Sequence, residues 1–551
     1  MKQYSIDKKY IKIYSDYDVG AIEYIKKVFK NASYNSENNV WNIPVNPFNT
    51  LRLKEFIRRF NATEFSNKNE YGDLKKVGLP TKQEVDYIKH LVESELNLKM
   101  QPRDYQYVGI TYMVKHKAVI NADDMGLGKT GQTIVAVELC NLFPCLVVAP
   151  ANVKFNWEKE WNKWVDGRTI SVIDGKNKDL NADVVIINYE QLNKHLEELK
   201  KIKFKVLVTD EAHYIKNGKS IRSKAVRKLS KGVEFIFELS GTFILNRPEE
   251  GVHPLQVLGR FEELFGNWKR FVYKFCDAKH NGFTLDTSGS SNELLLNKIL
   301  RENCYIRREK KDVAKDLPEV NKQIIEIPST NKREFDRAKN DIVKYLQEEV
   351  SFEAAFNAVN SQYLSQINTL RKLSIEGKLK GIMSWIDDFL ESSDEKLVVF
   401  GNNVAPLEEL SKKYKCPLIN GSTSSKDKFK IVNDFKDSKD RILFGNIKSL
   451  GTGTDGLQEA SSNMLVIQLP DTPGELEQAI SRLHRPPQTE PVNCYFMFSD
   501  HGIDYPMWDI LQDKYYVTDA VNKGEVNTGS GIKDMNTELV KWLKSNNNVK
   551  Q

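Results

Sequence analysis

Along the first ninety or so residues, apolar and polar positions change pattern every few residues. Residues 4–14 alternate loosely, as a half-buried strand does, and residues 21–29 set Ile22, Ile25, Val28 and Phe29 at helical spacing. Residues 39–44 read as a short strand stopped by Pro44, and residues 51–60 as a second amphipathic helix. The polar stretch 66–76 reads as a linker. From about Gln101 the pattern becomes continuous apolar runs alternating with helices: Ala118-Val119-Ile120, Cys145-Leu146-Val147-Val148-Ala149, Val184-Val185-Ile186-Ile187 and Val206-Leu207-Val208. Such runs suit strands buried on both faces of a parallel sheet. A second series starts at residues 396–400 and continues through 441–444 and 464–468. Residues 251–380, between the two series, look helical and rich in aromatic and charged side chains. The pattern predicts two α/β lobes with parallel sheets, a helical insertion between them and a small N-terminal α+β domain. The expected divisions are 1–90, 91–320 (with a protrusion at about 251–310), 321–523 and a tail, 524–551.

Composition narrows the class without naming it. A chain of 551 residues is too long for one core and suggests three to four domains. With 40% hydrophobic and 28% charged residues it resembles an ordinary globular protein. No apolar run approaches the roughly 20 residues that span a bilayer, and the start lacks the apolar segment of a secretory signal. Six cysteines without a C-x-x-C pair argue against a zinc site or disulfide framework, and for a reducing, cytoplasmic setting. The net charge of +6 permits a polyanionic partner but does not demand one.

Two short motifs change the picture. The run Ala118-Val119-Ile120 leads into Asp123-Asp124-Met125-Gly126-Leu127-Gly128-Lys129-Thr130 and then a helical stretch. Strand, glycine-containing loop and helix together make a phosphate cradle, in which backbone N–H groups and the helix dipole face the anion. Lys129 would reach the β- and γ-phosphates and Thr130 would ligate Mg²⁺. Asp123 stands where the usual loop pattern has its first glycine. The second motif is Asp210-Glu211-Ala212-His213 after the apolar Val206-Leu207-Val208. Adjacent acids at a buried strand end are costly unless they serve a cation or a reaction. Asp210 would hold Mg²⁺, and Glu211 would polarise the attacking water, with ATP as the nucleotide.

This pair resembles the superfamily-two helicases, and more closely the Swi/Snf-type ATPases with two RecA-like lobes. The resemblance implies that Arg103 and Gln106, in Pro102-Arg103-Asp104-Tyr105-Gln106, meet the adenine, and that residues 124–130 hold the phosphates. It places Pro150, Asn188, Tyr189 and Thr242 of lobe 1, and Asn402, Gly451 and Thr452 of lobe 2, against DNA. Phe243 replaces the proline expected after Leu239-Ser240-Gly241-Thr242. In Gln478-Ala479-Ile480-Ser481-Arg482-Leu483-His484-Arg485, two arginines three apart would share one helix face. The run resembles the family's arginine-finger motif, so Gln478, Arg482 and Arg485 are expected to act on ATP held by lobe 1. Gly453 and Asp455, in the glycine-rich loop 451–458, are expected beside the nucleotide.

Residues 261–278 (FEELFGNWKRFVYKFCDA) resemble the helical protrusions of Swi/Snf-type motors, which track a duplex; Phe265, Trp268, Phe271 and Phe275 read as its core. Residues 275–292 and the run Ile306-Arg307-Arg308-Glu309-Lys310-Lys311-Asp312-Val313 resemble the HARP-type annealing helicases and their bacterial and viral relatives. Tyr17-Asp18, Tyr34-Asn35 and Trp41-Asn42-Ile43-Pro44 resemble the HARP domain, which helps such enzymes engage branched DNA; Trp41 itself reads as core. The resemblance thus implies an ATP-driven duplex translocase acting on branched DNA, as a monomer in the cytoplasm, at the nucleoid or in a phage host. Single-strand-binding, replication or recombination proteins are its expected partners, with no membrane. A motor that displaces DNA-bound proteins, an RNA helicase and a silent nucleic-acid scaffold remain the alternatives.

Overall fold

The computed structural model describes residues 2–6, 9–15, 19–29, 31–35, 40–45, 49, 52–53, 56, 63–64, 73–151, 153–174, 177, 179–280, 285–348, 360–451, 455–524 and 539. Tyr17-Asp18, Thr452 and Gly453, most of 51–60 and most of the tail lie outside them.

The loose alternation over 4–14 resolves into two antiparallel strands, Lys2–Ile6 and Tyr10–Ser15, rather than one. They join a five-stranded sheet with Val40–Pro44, Ser33–Asn35 and Thr63–Glu64. The helix Val19–Val28 sets Ala21 and Ile25 into a small core with Ile11, Ile13, Trp41, Ile43 and Phe56. Trp41 is buried there, with Tyr34 5.0 Å from it between ring centroids. Residues 66–72 of the expected linker lie outside the described residues, but its end is anchored: Leu74 packs against Leu294 and Ala520.

The first lobe is a seven-stranded sheet, all parallel, in the order Tyr305–Ile306, Ala118–Asn121, Phe235–Leu239, Val206–Asp210, Cys145–Ala149, Val184–Asn188 and Ile170–Val172. The continuous apolar runs are fully buried because helices cover both faces, splitting the hydrophobic interior into two layers. The second lobe is a six-stranded parallel sheet in the order Val320–Ile327, Val492–Ser499, Asn463–Val466, Leu397–Gly401, Ile442–Asn446 and Leu418–Ile419. Two parallel-sheet lobes and a small N-terminal domain are therefore present as expected. Parallel order puts all strand C-termini on one edge of each sheet, where the loops that carry chemistry collect.

The segment between the lobes is less purely helical than its composition suggests. Tyr305–Ile306 closes the edge of the first sheet beside Ala118–Asn121, and Val320–Ile327 closes the edge of the second beside Val492–Ser499. Val320–Ile327 is mostly solvent-exposed, so its polar VNKQIIEI composition gives no buried-strand signal. In the protrusion, Phe261, Phe265, Phe271 and Phe275 form a ring cluster with centroid spacings of 5.0–5.7 Å. Trp268 departs from the expected core and stands 39% exposed. Among the described residues, no helix is long and apolar enough to cross a membrane.

The last helix, Asp504–Lys523, starts in the core of the second lobe and ends docked on the first. The final carbonyls of a helix lack intrahelical partners. Here Asn297 donates to Val521 O (2.6 Å), the Tyr305 hydroxyl to Asn522 O (2.8 Å) and Arg301 to Lys523 O (3.2 Å). The Asn522 side chain accepts from Ile244 N and donates to Ile244 O, at 3.1 and 2.8 Å. Asn522→Ala would leave both buried main-chain groups unpaired, at roughly 1–3 kcal/mol each. Faster amide exchange at Ile244, by on the order of tenfold or more, is the expected outcome in hydrogen–deuterium exchange, with strands distant from the junction unchanged.

Candidate nucleotide site between the lobes

The phosphate loop follows strand Ala118–Asn121 and precedes helix Lys129–Leu139. Gly126 and Gly128 have φ of +88° and +74°, a left-handed backbone that favours glycine. At Gly128 a side chain would also collide with Gln106, whose amide donates to Leu127 O (3.3 Å) and accepts from Arg103 N (2.8 Å). Gln106 thus ties the start of helix Asp104–His116 to the loop, while Arg103 is exposed beside it. Thr130 is the second residue of the loop's helix and is half-buried.

Asp123, in place of a glycine, is completely buried. Arg308 meets its carboxylate through Nη2 and Nε (2.9 Å for Nε), and the Arg308 main-chain N–H donates to it at 2.9 Å. Gln132 donates to the same carboxylate at 3.1 Å. Asp124 pairs with Arg307 at 2.5 Å and accepts from Lys310 N at 3.0 Å. Despite its burial, the Arg307 guanidinium holds Asp124 below the usual carboxylate range. Arg307 also donates to Ala122 O (2.9 Å) and Gly241 O (2.7 Å). Sequence reasoning gave Arg307, Arg308 and Lys310 no role at the site. Two adjacent acids in the loop and two adjacent arginines about 184 residues later were the available signal.

Lys129 donates to Asp123 O (2.7 Å) and Asp124 O (3.4 Å), folded onto its own loop. Burial lowers its pKa, against the carboxylates of Glu211, Asp123, Asp210 and Asp124. Asp210 ends strand Val206–Asp210 and accepts from Trp157 Nε1 (2.8 Å). Burial and the adjacent Glu211 charge push Asp210 up, which favours a nearby cation. Glu211 sits in the left-handed region at φ +53°, uncommon for a residue with a side chain. Its Oε2 is buried without a hydrogen bond, and His213 Nδ1 lies 3.3 Å away. Two buried carboxylates, one pushed up and one facing His213, beside a lysine and a glycine-built cradle, fit a nucleotide's phosphates with a divalent cation.

The second lobe completes the site. Arg482 lies near the end of helix Pro473–Leu483, but Arg485 lies beyond it, so the two do not share a helix face as expected. The residue before a proline disfavours helical backbone, and Pro486 follows Arg485. The turn carries Arg485 to the phosphate loop: its Cβ lies 3.0 Å from where a side chain on Gly126 would begin. Arg485 pairs with Asp455 at 3.5 Å, and Arg482 donates to Gly451 O at 2.7 Å. Burial and the charge of Arg485 bring Arg482 down to about 10, opposed by Glu211, Asp455 and Asp210. Gln478 is buried on the same helix. Lys310 spans the lobes, donating to His484 O at 2.5 Å and Ser481 Oγ at 3.4 Å.

Several residues expected against DNA are buried in this structure. Tyr189 is buried, stacked on Tyr214 at 5.3 Å, and its hydroxyl donates to Asp210 O at 2.8 Å. An aromatic ring with a satisfied hydroxyl suits the core better than a backbone-tracking surface. Pro150 and Gly451 are buried as well, and Asn188 is buried with its amide donating to Glu190 at 2.7 Å. Thr242 and Asn402 remain half-buried at the edge between the lobes.

Residues 89–377 match the family described as SNF2-related domain, and residues 378–487 match the helicase conserved C-terminal domain. The chain is 29% identical over 510 residues to the SWI/SNF-related matrix-associated actin-dependent regulator of chromatin subfamily A-like protein 1 of Xenopus laevis, covering 89% of this chain and 50% of that protein. It is 28% identical over 465 residues to the DNA annealing helicase and endonuclease ZRANB3 of Homo sapiens, covering 80% and 42%. The chain thus spans about half the length of the curated relatives it matches. The Sulfolobus solfataricus SWI2/SNF2 ATPase core in complex with dsDNA aligns at 23% identity and a TM-score of 0.38, over 78% of this chain and 94% of that one.

Breaking a buried pair from one side leaves an uncompensated charge and costs roughly 3–5 kcal/mol. Arg308→Leu should therefore destabilise the first lobe by about that much in urea unfolding. Adding Asp123→Asn should recover a large part of the loss; no recovery would mean that Arg308 acts through packing rather than through Asp123.

Proposed function

The chain belongs to the SNF2-related family, and on that premise we propose that it is an ATP-driven motor that tracks duplex DNA and remodels branched DNA by annealing strands, regressing forks or migrating junctions. The approach of Arg485 to the phosphate loop carries the ATP-driven part of this reading, because it sets an arginine of the second lobe against the loop of the first that would hold the phosphates. In it, Lys129 exchanges its bonds to Asp123 O and Asp124 O for the β- and γ-phosphate oxygens. Glu211, with His213 beside its Oε2, orients the attacking water. Thr130 and Asp210 would hold magnesium, which would supply positive charge at the phosphate oxygens. Arg482 and Arg485 stabilise charge that develops on the γ-phosphoryl group, a contribution of roughly 10³–10⁵ in rate for such arginines. Gly241, fastened to Arg307 and packed against Met125, links this chemistry to the junction of the lobes. Closure around ATP and opening after release then become steps along the duplex. Relatives described as annealing helicases support branched DNA as the substrate.

Lys129→Ala and Glu211→Gln should each abolish ATP turnover while DNA binding persists; native turnover in Glu211→Gln would remove Glu211 from the chemistry. ATPase stimulation measured at one salt concentration should rank forked and duplex DNA above single strands and RNA. Binding should weaken steeply with salt and show little sequence preference. Deleting residues 1–90 should cost fork remodelling more than duplex-stimulated ATPase, and equal fork remodelling by the truncated chain would contradict a branch-recognition role for that domain.

A further inference from the structure

Helix Trp268–Phe275 of the protrusion has an apolar stripe at positions 268, 271, 272 and 275, the spacing of a core-facing helix. Three of these side chains obey it: Phe271, Val272 and Phe275 are at most 1% exposed. Trp268 does not, because it occupies the open first turn, where it forms part of the wall of a cavity of about 870 Å³. That volume lies within the roughly 300–1,000 Å³ of small-ligand sites. The cavity is separate from the nucleotide site and shares no residue with it.

Its other walls include four cations, Lys216, Lys219, Arg247 and Lys514, against two acids, Glu249 and Glu250. Lys219 and Arg247 are exposed there and make no ion pair with any described residue. The opposing Glu250 is engaged by Lys216 at 2.8 Å and by the amides of Leu245 and Asn246, and Glu249 by Thr287 at 2.6 Å. Asn246 Oδ1, within the wall, is buried without a hydrogen bond. The outward side of the same helix continues the pattern with exposed Lys269, Arg270, Tyr273 and Lys274, and the helix carries no acid.

An exposed flat ring beside unpaired cations in one concavity is the chemistry that meets a nucleotide. The basic and aromatic run leading away from it suits a strand rather than a free nucleotide, since successive bases and phosphates need successive partners. We infer that this face of the protrusion binds an unpaired DNA strand, with a base stacked on Trp268 at the cavity and the backbone led across Arg247, Lys219, Lys269 and Arg270. The inference rests on the reading of the protein as a DNA motor. It gives a branched substrate a second point of contact: while the lobes step along the duplex, the strand displaced at the junction is held apart and presented for reannealing.

The test compares full-length protein and variants on blunt duplex and on the same duplex with a single-stranded arm, by fluorescence anisotropy and ATPase stimulation at fixed salt. Trp268→Ala should weaken binding of the armed duplex on the order of tenfold, the usual loss of one stacked base. Blunt-duplex binding and stimulation should not change. Trp268→Phe should restore most of the loss, which also shows that the helix remains folded. Lys269→Glu with Arg270→Glu should weaken the armed substrate and flatten the salt dependence of its binding. Equal losses on both substrates would assign the face to the duplex track, and no loss on either would remove it from DNA binding; both outcomes overturn the proposal. Wild-type protein unstimulated by any DNA would instead overturn the motor reading itself.

Discussion

The rest of this structure depends on a pair of adjacent acids meeting a pair of adjacent arginines. Asp123 and Asp124 open the phosphate loop, and Arg308 and Arg307 lie where the chain leaves the first lobe for the second. A buried carboxylate tolerates its loss of water only when it is fully paired. Each of these has a guanidinium and at least one main-chain N–H to satisfy it. The outcome is a loop whose conformation is imposed by the exit segment. Any tilt of that segment must either carry the loop with it or break contacts that neither partner can replace with solvent.

The same segment therefore serves two ends. Arg307 reaches Gly241 on one side and Lys310 reaches His484 and Ser481 on the other, so one short stretch touches the nucleotide loop, the edge of the first sheet and the arginine-bearing turn of the second lobe. Two buried side chains at this junction rely on weak or local partners: Glu211, in a left-handed backbone, faces His213 Nδ1 at 3.3 Å, and Lys129 rests on main-chain oxygens of its own loop.

The buried parallel strands were legible in the sequence because burial on both faces leaves uninterrupted apolar runs, as at Val206-Leu207-Val208. The phosphate loop and the acidic strand end were legible because their chemistry is local: glycines for positive φ, a lysine, two acids. What escaped was decided by partners far along the chain. The edge strand Val320–Ile327 is exposed and polar, so only its pairing with Val492–Ser499 defines it. Arg307 and Arg308 look like any charged turn until the topology sets them beneath the loop. Tyr189 occupies a motif position expected to face DNA, yet its hydroxyl finds the carbonyl of Asp210 inside. Arg485 seemed to continue a helix that Pro486 in fact prevents.

The docking of the last helix onto the first lobe has a mechanical meaning. Two of the contacts between the lobes are made by the main chain itself, at the exit segment near Arg307 to Lys310 and at the anchored carbonyls of Val521 to Lys523, whereas others, such as Lys159 over the Phe429 ring at 3.7 Å and Arg485 beside Gly126, are side-chain approaches. A rigid body pinned at two points keeps a single easy freedom, rotation about the line through them. Any movement of the lobes that keeps both main-chain attachments follows one arc rather than a diffuse separation, and the direction of that arc is written into the positions of the two pins.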